Sequence, residues 1–286
     1  MLSSFQQHWG VEQWLAFLKD KDLPILPGTR GQLKALREEE QERISPRHLA
    51  GIVYSDPFLA LKLLRRAEGH RSRRLGQETT TALASVLQTG VDELVRTVEE
   101  GTVTDTGLAG LDACALRTVL AAHIARDWTA LRTDISPEEV ALATLLAEIG
   151  ELLLWHFAPE LPLRALDELH SGRALRTAQA QQQSCGFAFK MLTLGLVQAW
   201  ELPPLITQLI KGSDNIRANI ARLAGDTARH IISHPENPAI PADIVNIHNI
   251  VQGASHAALI AALPISPEYR EIVLGAVADG SYSKDV

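Results

Sequence analysis

Apolar side chains recur along the chain at the three- and four-residue spacing of α-helices, and sustained alternation of apolar and polar residues is absent. The clearest example is the stretch Ala143–Trp155, in which one helical face is entirely apolar and Glu148 falls at the edge of that face. The apolar residues of this face are Leu142, Leu145, Leu146, Ile149, Leu152 and Leu153. The pattern predicts an all-α protein of about a dozen or more helices.

Helix starts are marked by a capping side chain followed by proline at the first helical position, where the missing N–H of proline has no intrahelical partner to lose. Four such starts occur, at Ser45-Pro46, Asp56-Pro57, Ser136-Pro137 and Ser266-Pro267. Between helices, prolines constrain Leu23–Gly28 to an extended segment. A polar, flexible stretch over Thr102–Gly110 is expected to separate two helical lobes.

These breaks predict three regions of the chain. Residues 1–13 form an N-terminal helical extension, and residues 14–212 form the main domain. Residues 213–286 form a C-terminal helical extension packed on that domain. Within the main domain we expect one lobe over residues 14–101 and a second over residues 108–212.

Composition narrows the class of protein. Of the 286 residues, 46% are hydrophobic, and a formal net charge of −7 gives no general attraction to nucleic acid or to an anionic membrane. No apolar run reaches the roughly 18 residues that cross a bilayer, and the N-terminal residues lack the features of a signal peptide. Cys114 and Cys185, which have no CxxC spacing, are typical of a reducing compartment. We therefore expect a cytoplasmic protein without a membrane partner.

Four sequence landmarks follow one another along the chain. They are Leu23-Pro-Ile-Leu-Pro27, Asp56-Pro-Phe-Leu-Ala-Leu-Lys-Leu-Leu-Arg65, Leu145-Leu-Ala-Glu-Ile-Gly150 and Gln198-Ala-Trp-Glu-Leu-Pro203. In order and spacing, over residues 14–212, they resemble the HDOD family, the regulatory relatives of HD-type metal phosphohydrolases. The resemblance implies an all-α HD/HDOD-like multi-helical bundle, with an N-terminal helical lobe and a degenerate HD-like lobe over residues 108–212.

The resemblance also implies positions for the metal ligands of HD enzymes, and the chain departs from the ligand pattern at most of them. Ala147-Glu148 stands where HD enzymes have His-Asp, and Phe189 stands where a later histidine is usual. His123 matches the first histidine of the set. Because a stable transition-metal site needs about three or four protein ligands, we expect no bound metal, no cofactor and no catalytic residue.

Two interpretations of these vestigial positions stay open. In the first, His123 and Glu148 form a buried histidine–carboxylate pair that fills the former metal site. In the second, they hold a metal in an atypical HD-type phosphohydrolase, whose metal would activate water and polarise a phosphoryl group.

A run of cations, here called the basic patch, follows the helix start at Asp56. Its members are Lys62, Arg65, Arg66, Arg71, Arg73 and Arg74, together with His70. Such a patch can bind a phosphorylated ligand, nucleic acid or an acidic partner surface, or it can be a solvated loop whose cations lie at a helix C-terminus. No aromatic residues alternate with the arginines, which disfavours nucleic acid. A nucleic-acid-binding adaptor is therefore only the second alternative.

Two histidine groups also share predicted helical faces. Asp226, His230 and His234 follow at i, i+4 and i+8, a spacing that suits either zinc or histidines facing the negative end of the helix dipole. His248 and His256 form a second face, expected on the solvated surface.

The leading hypothesis is a non-catalytic signal-transduction module that acts through protein–protein or small-ligand binding. The resemblance implies a role in bacterial signal transduction. Its partner would be an unidentified signalling protein, or a phosphorylated or cyclic-dinucleotide ligand.

Overall fold

The structure is a computed structural model and describes residues 3, 5–40, 44–70, 78–105, 107–212 and 215–281. Over these residues the chain is all-α, as the sequence predicts, with a short 3₁₀ turn at Gln6–His8. Extended backbone pairs at one isolated parallel bridge within the described residues, Ile25–Val103. The α-helices in chain order are α1 (Val11–Leu18), α2 (Pro27–Glu40), α3 (Pro46–Tyr54), α4 (Pro57–His70), α5 (Ala82–Thr89), α6 (Val91–Glu100), α7 (Ala109–Ala130), α8 (Pro137–Leu146), α9 (Ile149–Phe157), α10 (Glu160–His170), α11 (Thr177–Cys185), α12 (Phe189–Ala199), α13 (Pro204–Lys211), α14 (Ile216–Ser233), α15 (Ile240–Ile250), α16 (His256–Ala261) and α17 (Pro267–Asp279).

The chain divides into two compact units. The first unit comprises residues 1–115 and 146–207, and the second comprises residues 116–145 and 208–286. The C-terminal helices are therefore grouped with part of the predicted main domain. The boundaries predicted from the sequence mark where the chain resembles a family, whereas the two units are defined by contacts within the fold. The predicted boundaries therefore stay a prediction.

In the first unit, hydrogen bonds hold the segment before α2 in an extended form. The N–H of Ile25 donates to the carbonyl of Thr102 at 2.8 Å, and the N–H of Thr104 donates to the carbonyl of Ile25 at 2.9 Å. The predicted extended segment is confirmed through Leu26, but α2 already begins at Pro27. The same bonds fix the start of the stretch predicted to be flexible, because that stretch pairs with the extended segment.

Asp56 joins this extended segment to α2 and α4. Its side chain is fully buried. Its Oδ1 accepts from the N–H groups of Phe58 at 2.9 Å and Leu59 at 3.0 Å, which caps α4 as predicted. Its Oδ2 accepts from the Leu26 N–H at 2.7 Å and the Thr29 hydroxyl at 2.6 Å. Burial raises the pKa of the Asp56 carboxyl, and the four hydrogen bonds act in the opposite direction.

The single helix predicted around Ala143–Trp155 is in fact two helices. α8 ends at Leu146 and α9 begins at Ile149, and Glu148 between them has a non-helical backbone (φ −110°, ψ 20°). The predicted apolar face is buried throughout. Contrary to the sequence expectation, residues 137–157 are long and apolar enough to cross a membrane, but 72% of their apolar window is buried in the protein, as in a core helix.

The core of the second unit forms around Trp128 of α7. Its ring is fully buried, and its indole N–H donates to the carbonyl of Leu259 at 3.0 Å. The other core residues come from α7, from Val140 of α8, and from α14 to α17 with the connections between them. Arg132, just after α7, donates to the carbonyl of Ile250 at 3.0 Å and so holds the end of α15. The C-terminal helices thus pack on residues that the sequence assigned to the main domain.

His230 on α14 has a partner that the helical pattern did not show. Its Nδ1 lies 2.7 Å from Oδ2 of Asp243 on α15, and Asp243 is buried. Asp226, the predicted neighbour on the same face, pairs with Arg222 and Arg229. The hydrogen bond to Asp243 raises the pKa of His230, against burial, which lowers it. The predicted face therefore does not converge on one site.

The other histidines of the two predicted groups agree with the sequence prediction only in part. α14 ends before His234, as expected, and Nδ1 of His234 accepts from the N–H of Glu236 at 3.1 Å. The shared face predicted for His248 and His256 is wrong, because α15 ends at Ile250 and α16 begins at His256. The two rings nevertheless lie 4.2 Å apart, and both side chains are partly buried rather than fully solvated.

Removal of the Asp56 carboxylate should destabilise the protein far more than removal of an ordinary helix cap. In Asp56→Ala, buried donors lose their acceptor, and we expect the free energy of unfolding to fall by about 3 kcal/mol. Thr81→Ala removes the capping hydroxyl of α5 and should cost about 1 kcal/mol. Urea unfolding of the full chain measures both losses, and equal losses would contradict the central role of Asp56.

The pair formed by His230 and Asp243 should make stability depend on pH. Because the pKa of His230 is raised in the folded protein, its contribution is complete below the unfolded value of about 6.5 and is lost as pH rises through the folded value. His230→Gln should therefore lower the urea midpoint more at pH 6 than at pH 9. Asp243→Asn should abolish this difference, and equal losses at both pH values would contradict the assignment.

Candidate functional site

The residues that the resemblance places at a metal centre lie around the start of α9. Ala147 and Glu148 form the turn between α8 and α9, and both are partly exposed. The methyl side chain of Ala147 offers no ligand atom. Glu148 therefore supplies the only donor side chain of this two-residue turn.

One side of α9 is closed by α12. The N–H of Gly150 donates to Oγ1 of Thr193 at 3.1 Å in the protein interior. A methyl group on Gly150 would lie 2.7 Å from that oxygen and 2.9 Å from the carbonyl oxygen of Phe189, so a side chain here would force the helices apart. Phe189 is 3% exposed, and its N–H donates to Gln181 at 2.9 Å. Protein atoms thus fill the space beside this side of α9.

His123 lies on α7 in the second unit, where its residue is exposed. Partial desolvation by neighbouring atoms lowers the pKa of the His123 imidazole, Arg126 lowers it further and Asp127 raises it. The predicted buried histidine is therefore wrong, because α7 presents this position at the surface.

A closer group of ligand atoms escaped the sequence analysis. The sulfur of Cys114 on α7 and one carboxylate oxygen from each of Glu148 and Glu151 lie within 4.8 Å of one another. The three-residue spacing of the two glutamates is visible in the sequence. Cys114 belongs to a different helix, so only the fold shows that it is their neighbour.

Two described members of the basic patch are bonded within the protein. Nζ of Lys62 donates to the carbonyl of Leu23 at 2.6 Å and pairs with Asp22 at 3.2 Å. The guanidinium carbon of Arg65 lies 4.6 Å from the centroid of the Trp200 ring, in a cation–π contact. These contacts fix α4 to the extended segment before α2 and to the end of α12.

Arg66 continues this pattern on the exposed side of α4. It pairs with Glu93 and donates to the hydroxyl of Thr97 at 3.2 Å, both on α6. Lys62, Arg65 and Arg66 thus have structural contacts of their own, and their binding of a partner stays a prediction. The remaining arginines of the basic patch, Arg71, Arg73 and Arg74, lie outside the described residues, as does the side chain of His70.

The sequence matches the HDOD domain family over residues 23–216, which is more than half of the chain. The chain belongs to the HDOD family. No curated protein matches its sequence. The family assignment confirms the resemblance stated from the four landmarks.

Two solved structures share the HDOD fold of this chain. A virulence factor from Campylobacter jejuni is 20% identical, with a TM-score of 0.66 and coverage of 91% of this chain and 98% of that one. The MmoQ response regulator from Methylococcus capsulatus is 18% identical, with a TM-score of 0.59 and coverage of 90% of this chain and 99% of that one. Similarity at this level of identity establishes the fold.

Any residue other than glycine at position 150 should disturb the packing of α9 on α12 in the HDOD domain. In Gly150→Ala the added methyl group meets backbone atoms of Phe189 and Thr193, and we expect a loss of about 3 kcal/mol in the free energy of unfolding. Gly51→Ala on α3 is the control, because nothing lies within 4 Å of its added methyl group. It should stabilise by about 0.5–1 kcal/mol. Urea unfolding tests both, and a neutral Gly150→Ala would show that α12 can move away.

Proposed function

We propose that this HDOD protein is a non-catalytic, cytoplasmic signalling module that regulates a partner by binding it. The observation that carries the proposal is the closure of α12 on α9, through the bond from Gly150 to Thr193 and the buried ring of Phe189. A metal-dependent hydrolase needs a space that admits metal, water and a phosphoester. Here protein atoms occupy that side of α9.

The residues at the predicted metal positions do not fit the metal of an HD phosphohydrolase. Ala147 has no donor atom, Phe189 presents a buried apolar ring, and His123 is exposed in the other unit. Glu148 is left as a single carboxylate from that set. A catalytic metal takes about three protein ligands, so this set supports a pseudoenzyme.

Within this proposal the partner is bound by the distal arginines of the basic patch. Lys62, Arg65 and Arg66 already bond within the protein. In the sequence, Arg71, Arg73 and Arg74 add three more cations within four residues, in a chain whose net charge is −7. Such a local concentration of guanidinium groups favours an acidic or phosphorylated surface.

A regulatory role also agrees with what is said of one solved relative. The Methylococcus capsulatus protein is described as a response regulator. We extend a regulatory role to the present chain as part of the proposal.

Four forms of the full chain test the proposal. They are the native protein, Glu148→Gln, a patch triple (Arg71→Gln, Arg73→Gln, Arg74→Gln) and a matched triple on α14 (Arg217→Gln, Arg222→Gln, Arg229→Gln). None should hydrolyse p-nitrophenyl phosphate or cyclic dinucleotides in the presence of Mn²⁺, Fe²⁺ or Zn²⁺. In affinity capture from the native cell, the patch triple should lose a protein that the other three forms retain.

Three results would contradict this proposal. Metal-dependent hydrolysis that Glu148→Gln abolishes would establish an atypical phosphohydrolase. Retention of the same protein by the patch triple would move the binding surface elsewhere. Salt-sensitive capture of nucleic acid that only the patch triple loses would establish the nucleic-acid adaptor.

A further inference from the structure

Three potential metal ligands, from α7, from α9 and from the turn before α9, converge in the first unit. The Cys114 sulfur and the carboxylate oxygens of Glu148 and Glu151 lie within 4.8 Å of one another. Cys114 is 1% exposed, whereas both glutamates are partly exposed. The group therefore combines a buried thiol with two carboxylates that are partly open to water.

The packing of α9 on α7 produces this convergence. Trp155 near the end of α9 lies directly against Gly110 in the first turn of α7, where an added Cβ would be 2.1 Å from the indole ring. Cys114 lies one turn further along α7, and Glu151 lies one turn back along α9. The helices are therefore antiparallel here, and the indole contact sets the level at which the thiol meets the carboxylates.

The same tryptophan also contacts the cluster directly. Its indole N–H donates to Oε1 of Glu151 at 3.4 Å. Trp155 itself is 3% exposed, so the ring that fixes the spacing of the two helices is held by the core. Glu151 is thus oriented from one side by a buried donor, while its carboxylate stays next to the sulfur of Cys114.

We infer that Cys114, Glu148 and Glu151 bind a divalent transition-metal ion, and that Zn²⁺ matches this ligand set best. A thiolate favours zinc over Mg²⁺ and Ca²⁺, and carboxylate oxygens are accepted zinc ligands. At zinc bond lengths of about 2.1–2.3 Å, tetrahedral ligand atoms lie about 3.5 Å apart, so rotation of the glutamate side chains closes the site. On binding, the thiol releases its proton to water, and a water molecule takes the fourth position.

The inference stands apart from the proposed function, because Cys114 and Glu151 are outside the ligand set expected for an HD enzyme. The bound ion links α7 to α9 next to the contact between Trp155 and Gly110. Since the ion binds the folded state, it stabilises the first unit by mass action. The stability of the first unit would thereby respond to the concentration of the metal ion.

Co²⁺ is the probe, because its bond to a thiolate absorbs in the near ultraviolet. Anaerobic titration of the reduced full chain should give this absorption with saturation at one equivalent, and Zn²⁺ should displace it. Cys114→Ser should lose the absorption, and Glu151→Gln should weaken binding about tenfold or more. Cys185→Ser removes the other thiol and, as the matched control, should retain both properties.

A second readout covers the case in which Cys114→Ser does not fold. Zn²⁺ should raise the Tm of the native protein and of a double variant, His248→Ala with His256→Ala, and at the same concentration should raise that of Glu151→Gln less. The inference is overturned if the native protein shows no thiolate absorption, if folded Cys114→Ser retains it, or if Glu151→Gln binds Co²⁺ with native affinity. Loss of the Zn²⁺ shift in the double histidine variant would likewise assign the metal to the imidazole pair.

Discussion

A single buried carboxylate fixes the arrangement of the N-terminal helices. The oxygens of Asp56 receive hydrogen bonds from the extended segment before α2, from α2 itself and from the first turn of α4. A buried acceptor of this kind needs its donors in place, so these three elements are brought to one point. The bridge between Ile25 and Val103 extends the arrangement to the end of α6. Arg30 completes it by donating to the carbonyls of Val98 and Gly101.

Two of the contacts that α9 makes depend on glycines. Gly150 and Trp155 lie about 140° apart around this helix, since each residue turns it by about 100°. Glycine at position 150 lets α12 approach, and glycine at position 110 on α7 lets the indole of Trp155 approach. The missing side chains therefore determine how much space remains on each side of α9. Backbone atoms of Phe189 and Thr193 close the side towards α12, whereas a thiol and two carboxylates lie on the side towards α7.

Local features of the fold could be predicted from the sequence because capping acts over two or three residues. The hydroxyls of Ser45 and Ser266 accept backbone N–H groups at the expected helix starts. The break at Glu148 could not be predicted, because the apolar spacing continues across it. The bond from Gly150 to Thr193, which belongs to this break, joins two helices that are separate in sequence.

The candidate site was predictable only in part, because some of its residues meet across helices that are distant in sequence. The landmark containing Glu148 led to the correct family, but it predicted a continuous helix where the chain turns. Its neighbour Cys114 is supplied by tertiary packing, as is Asp243 beside His230. A run of cations is visible in any sequence, but the tryptophan under Arg65 is not. Side chains that share a helix can be read from spacing, whereas those that meet across helices require the fold.

The stack of Arg65 on Trp200 links two sequence landmarks in one physical contact. The carbonyl of Lys19 accepts from both residues, from the indole N–H at 2.8 Å and from the guanidinium at 3.4 Å. Lysine would keep a charge over the ring but has no planar group to stack on it, and a smaller side chain at position 200 would leave the arginine without the ring. In related sequences these two positions should therefore change together or not at all.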